Sequence, residues 1–147
     1  MENRFEFLHA GYNCHVIRRD MGHHCGYVAI PKSHPWFGKD YSDKVSVPKE
    51  VISRETNIDK IGVLNLLCAD EPTEDTCEIV LAVDVHGGIT YAEPEGEQWV
   101  FGFDCAHFGD ALSPERVMPG EIWRDRPFAE AETRALADQL REFDPTT

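Results

Sequence analysis

Two histidines and two aspartates gather in the second half of the chain: His86, then Asp104, His107 and Asp110 at every third position. Imidazole nitrogens and carboxylate oxygens bind zinc, manganese or iron, and an ion with an open position turns bound water into a nucleophile. A spacing of three projects side chains to one side of a helical turn or tight loop. This pattern assigns His86, Asp104 and His107 as ligands of one divalent ion, zinc or manganese. Asp110 is then a fourth ligand or the base that takes a proton from metal-bound water. Asp84 lies two residues before His86, on the same side of an extended strand, and would orient His86 or join the ligands. Asp84 and Asp110 are therefore the candidate catalytic carboxylates. Gly87 and Gly88 would let a ligand approach the backbone closely. A plainer reading stands beside this one: Asp104 caps the turn after it, and Gly87-Gly88 supply positive φ.

Cys105, next to Asp104 and two residues before His107, offers a thiol–imidazole alternative, set against a buried cysteine at a strand end. The loop Pro31–Tyr41 carries Lys32, His34 and Lys39 around Trp36-Phe37. It is the candidate strap for an anionic ligand, with the two lysines neutralising charge and His34 beside them. His23-His24 reads as a solvated turn tip. No G-x-S-x-G, P-loop or dinucleotide-binding glycine pattern occurs, so serine hydrolase, phosphate-loop and Rossmann readings fail. The five cysteines are odd in number, irregular in spacing and without a C-x-x-C pair. A disulfide framework and a zinc ribbon are both disfavoured.

These residues need a scaffold. Cys14–Arg18 and Gly26–Ile30 read as strands around a turn. Glu78–Val85 reads as a strand interrupted at Gly87-Gly88 and resumed at Ile89–Ala92. Glu93–Glu97 is turn chemistry, and Gln98–Asp104 is the returning strand. Closing that hairpin with Glu93 opposite Gln98 brings His86 opposite Cys105, beside Asp104. Ala111–Arg126 reads as loop. Pro127 opens a helix whose buried stripe is Ala129, Thr133, Leu136, Leu140 and Phe143. The pattern predicts an α+β fold, a mainly antiparallel sheet with the long C-terminal helix packed on one face. Residues 48–70 show no clear periodicity. The length of 147 residues suits one domain over residues 1–147.

Charge is uneven. Residues 1–70 are neutral, whereas 71–147 carry 18 acids against five bases and hold the whole formal charge of −13. That distribution argues against direct nucleic-acid binding and suits either solubility or docking on a basic partner protein. There is no run of roughly 20 apolar residues for a membrane span and no apolar segment behind a basic N-terminus, so the expected compartment is the cytoplasm.

Several strings together are diagnostic: Pro31-Lys32-Ser33-His34-Pro35, His86-Gly87-Gly88-Ile89-Thr90-Tyr91, Phe101-Gly102-Phe103-Asp104-Cys105-Ala106-His107-Phe108-Gly109-Asp110, and Glu132 to Leu140. The chain resembles a group of small uncharacterised phage and prophage proteins across most of its length except about residues 42–76. The resemblance implies a phage context, a host cytoplasm, and an accessory role against host pathways or defence. The leading expectation is a metal-dependent hydrolase or lyase acting on a small anionic substrate, such as a nucleotide. The alternative is a non-enzymatic protein that sequesters a small ligand or blocks a basic host protein with its acidic half.

Overall fold

The computed structural model describes residues 3–19, 22–46, 76–106, 109–111 and 113–144. The elements run β1 (Asn3–His9), β2 (Tyr12–Arg18), β3 (His24–Ile30), β4 (Lys44–Ser46), β5 (Thr76–Glu78), α1 (Ile79–Ala82), β6 (Tyr91–Glu95), β7 (Gln98–Asp104), β8 (Asp110–Ala111), β9 (Ile122–Trp123) and α2 (Arg126–Glu142). Five strands form an antiparallel sheet in the order β1-β2-β3-β7-β6. The α+β expectation holds: α2 packs across β2 and β3 on one face. Residues 48–70 lie outside the described residues.

Alternation builds the core. Tyr12, Cys14 and Val16 of β2, Val28 and Ile30 of β3, and Phe101 and Phe103 of β7 point to the helix face and are buried. Helix α2 answers with Ala129, Thr133, Leu136, Ala137 and Leu140, each fully buried. Burying a leucine contributes about 1.5–3 kcal/mol. Close approach of helix and sheet depends on Gly26, where a Cβ would overlap Thr133 Oγ1 and the Phe103 ring. The helix begins one residue before Pro127, because Asp125 accepts from the Phe128 N–H (3.0 Å) and caps it. Phe143 is only partly buried and stacks on Trp36 with ring centroids 4.6 Å apart.

Two expectations fail, and both matter for the site. The predicted strand Glu78–Val85 is instead the end of β5 followed by the helical turn α1. Its apolar run is buried on all sides, and such a run does not distinguish strand from helix by periodicity. The loop before β4 decides: the Asp43 and Tyr41 carbonyls accept from the N–H groups of Ile79 and Val80, both at 3.0 Å. The hairpin register also differs. Glu95, not Glu93, lies opposite Gln98, and the connection is the two residues Gly96-Glu97 with Gly96 at φ +62°. Pro94 is accommodated inside β6 because β6 is an edge strand. Of the segment read as loop, Ala111–Arg126, Ala111 belongs to β8 and Arg126 opens α2; the described residues between them are loop except for β9, which pairs in parallel with β8.

Candidate functional site

The register shift and the α1 turn carry His86 out of the hairpin. It sits in a tight turn in which the Gly88 N–H donates to the Val85 carbonyl (2.9 Å). Gly87 and Gly88 have φ of +70° and +81°, a backbone that glycine adopts without strain. The His86 backbone N–H donates to Glu132 Oε1 (2.9 Å), which ties the turn to the middle of α2. Its ring Nε2 donates to the Asp110 carboxylate, 2.8 Å from Oδ2 and 3.0 Å from Oδ1. Asp110 lies in the short β8 strand, and Arg124 Nε donates to Oδ1 at 3.0 Å. The Arg124 guanidinium rests over the Phe128 ring at 4.7 Å, and the edge of that ring meets His86 at 5.1 Å between centroids. The result is a chain of buried Glu132, His86 and Asp110 that ends on partly exposed Arg124. It clamps the glycine turn and the β8–β9 pair onto the helix.

The residues singled out by the sequence therefore separate. His86 and Asp110 meet, at 8% and 1% side-chain exposure. Asp104 does not join them; it accepts from the Ala106 N–H (3.0 Å) and the Thr90 hydroxyl (3.3 Å), capping the turn after β7. Asp84 is held through its backbone: the Gln139 amide accepts from its N–H (2.6 Å) and donates to its carbonyl (2.9 Å). His107 lies outside the described residues. Among the described residues no three of His, Cys, Asp and Glu are placed to hold a metal ion. Cys105 is 1% exposed, and burial together with nearby Asp110 pushes its thiol far up, so it is a poor nucleophile at neutral pH.

The strap Pro31–Tyr41 sits elsewhere. His34 is buried near the C-terminal end of α2, where Nε2 donates to the Leu140 carbonyl (2.8 Å) and Nδ1 accepts from the Trp36 N–H (3.0 Å). Trp36 is a core anchor, 3% exposed. Lys32 is exposed, whereas Lys39 lines an open cleft of about 350 Å³ with Pro35, Trp36, Lys44, Val45 and Phe143. The strap does not form a common site with His86.

A different set of cations converges. Arg4, Arg18 and Arg126 line a cleft of about 410 Å³, with His24, Phe5 and Val16 as its remaining walls. It lies where β1 starts, β2 ends, β3 starts and α2 begins. The Arg18 guanidinium rests over the Trp123 ring (5.4 Å) and that of Arg126 over Phe5 (4.9 Å). Arg18 Nε donates to the Gly22 carbonyl (3.1 Å), and Arg4 is shared with exposed Glu6 (2.6 Å). His24 is 6% exposed, tilted on Trp123 at 5.4 Å, and its Nδ1 donates to the Arg124 carbonyl (3.1 Å). Burial holds the His24 ring below the usual imidazole range; the Arg18 charge acts in the same direction, while the Arg124 carbonyl and Asp125 oppose it. The carbonyl of Arg124 thus links this cleft to the Asp110 cluster behind it. Sequence reading missed the cleft because its arginines are far apart in the chain. The one local signal is Arg124-Asp125-Arg126 ahead of the helix; His24, expected at a turn tip, is the first residue of β3.

Comparison of the chain with family models, curated proteins and solved structures gives no match.

Proposed function

We propose that this protein captures a small, multiply charged anion in the cleft walled by Arg4, Arg18, Arg126 and His24, and holds it without turnover. One observation carries this reading: three guanidinium groups and a buried imidazole face one cleft in a chain of formal charge −13. Two of those guanidiniums are propped on aromatic rings, which fixes their direction; Arg18 spends its Nε–H on the Gly22 carbonyl and keeps its terminal N–H groups for a ligand. Guanidinium forks suit carboxylate and phosphate oxygens. Among the described residues, the two candidates for base or covalent chemistry that the sequence offered, His86 and Cys105, are engaged elsewhere. The His86 Nε2 is held by Asp110, and the thiol of Cys105 is buried. A small capture protein suits the phage accessory role that the sequence resemblance implies. The test is a binding isotherm with inorganic phosphate and with a nucleoside monophosphate, followed by recovery of the unchanged ligand. Saturable binding that weakens at least tenfold in Arg18→Gln/Arg126→Gln supports the reading. Equal binding in parent and variant, or conversion of the nucleotide, contradicts it.

A further inference from the structure

Resting on the anion-cleft reading, we infer that the occupant is a doubly charged tetrahedral oxyanion, and that His24 donates to it from Nε2 after taking up a proton as the anion binds. The geometry behind this is local. A carbonyl oxygen only accepts, so the bond from His24 Nδ1 to the Arg124 carbonyl fixes the proton on Nδ1. Nε2 is then the one ring nitrogen that gains or loses a proton. In the empty cleft it carries a lone pair, which repels an anion; once protonated it is a fourth donor beside three guanidiniums. A tetrahedral oxyanion presents enough oxygens for four donors spread around a concave wall, whereas a planar monocarboxylate has two.

The charges around His24 decide the direction of the linkage. From β2 comes Arg18, from β1 Arg4 with its partner Glu6, from the start of α2 Arg126 with its capping Asp125, and from the residue just before β3 His23. Burial first, then the Arg18 charge and His23, hold His24 neutral without the anion, against the Arg124 carbonyl and Asp125; Glu6 partly offsets Arg4. A dianion among them reverses the local balance and draws the proton in. Binding and protonation therefore strengthen each other, as linkage requires.

Sulfate is the probe, because it stays a dianion throughout the range tested. Its affinity is measured by calorimetry from pH 5 to 8, at each pH in two buffers of different ionisation enthalpy. The expected result is uptake of up to one proton per sulfate, with an affinity that falls up to tenfold per pH unit as pH rises from the lowered pKa of the free ring to the raised one of the bound ring. Acetate should bind at least tenfold more weakly than sulfate at pH 6. His24→Gln should bind sulfate with little dependence on pH and without proton uptake, and the His24 ring in the parent should titrate at higher pH when sulfate is present, read by NMR. Sulfate binding with no proton uptake and an unmoved His24 resonance overturns the inference and leaves the anion-cleft reading standing. Sulfate binding matched by acetate overturns the choice of ligand class. Absence of any sulfate binding between pH 5 and 8 overturns the cleft reading and this inference together.

Discussion

Asp110→Ala is the sharpest perturbation of the polar cluster. The carboxylate is 1% exposed and accepts from His86 Nε2 and Arg124 Nε. Removing it affects the two unequally. Arg124 is 24% exposed and can turn partly toward water. His86 is 8% exposed, so its ring N–H loses a buried acceptor. An unsatisfied buried donor costs about 1–3 kcal/mol, and breaking a buried charged pair about 3–5 kcal/mol in all. We expect a loss of about 3–5 kcal/mol in urea unfolding, or roughly 10 °C in Tm for a domain of this size. Asp110→Asn keeps an acceptor and should lose less than the alanine variant. A double-mutant cycle with Arg124→Met should show coupling of more than about 1 kcal/mol. A loss below about 1 kcal/mol for Asp110→Ala, with no coupling to Arg124, would refute the view that this cluster pins the glycine turn and the β8–β9 pair to α2.

Other consequences follow from the same packing. Gly26→Ala places a Cβ against Thr133 Oγ1 and the Phe103 ring; overpacking of this kind costs about 1–3 kcal/mol, and the pair Gly26→Ala/Thr133→Ala should recover part of the loss in a denaturant titration. Leu140→Ala, at a fully buried position, should cost about 2–5 kcal/mol by the same assay. Acid should destabilise the fold through its histidines: burial lowers His24 and His34 and takes His15 down to about 4. The unfolded chain binds protons at these rings near pH 6.5 while the native chain does not, so their contribution is fully present above that pH and is lost as pH falls through it toward about 4. His34 has one donating and one accepting nitrogen, so His34→Gln should flatten the pH slope of unfolding near pH 5.5.

Three central parts of the sheet and the long helix were legible because they rest on periodicity; β1 was not read from the sequence. Alternation in Cys14–Arg18 and Gln98–Asp104 marks strands, and the α2 stripe repeats at helical spacing. Glu78–Val85 was not legible, because Ile79, Val80, Ala82, Val83 and Val85 are buried on every side and their pattern lacks a polar face. The hairpin register was misread because Glu93-Pro94-Glu95 resembles turn chemistry, while an edge strand tolerates Pro94. That two-residue shift, with α1, is why His86 meets Asp110 and not Asp104. The pairing of His86 with Asp110 was legible only as membership of one group. The arginine cleft was not legible, since it depends on β1, β2, β3 and α2 converging at one corner of the sheet. Among the described residues no helix is long and apolar enough to cross a membrane.

Anion binding in the cleft at the start of α2 is the core of the proposed function. Its most direct test is the melting temperature of the parent and of Arg18→Gln/Arg126→Gln in sulfate at pH 6, with ionic strength held constant by a monovalent salt. A ligand at 100 times its Kd adds about 2.7 kcal/mol to the folded state, or roughly 5–10 °C at this chain length. We expect a saturable rise of that order for the parent and a rise at least halved for the variant. Parent and variant rising together, or neither rising, would contradict it.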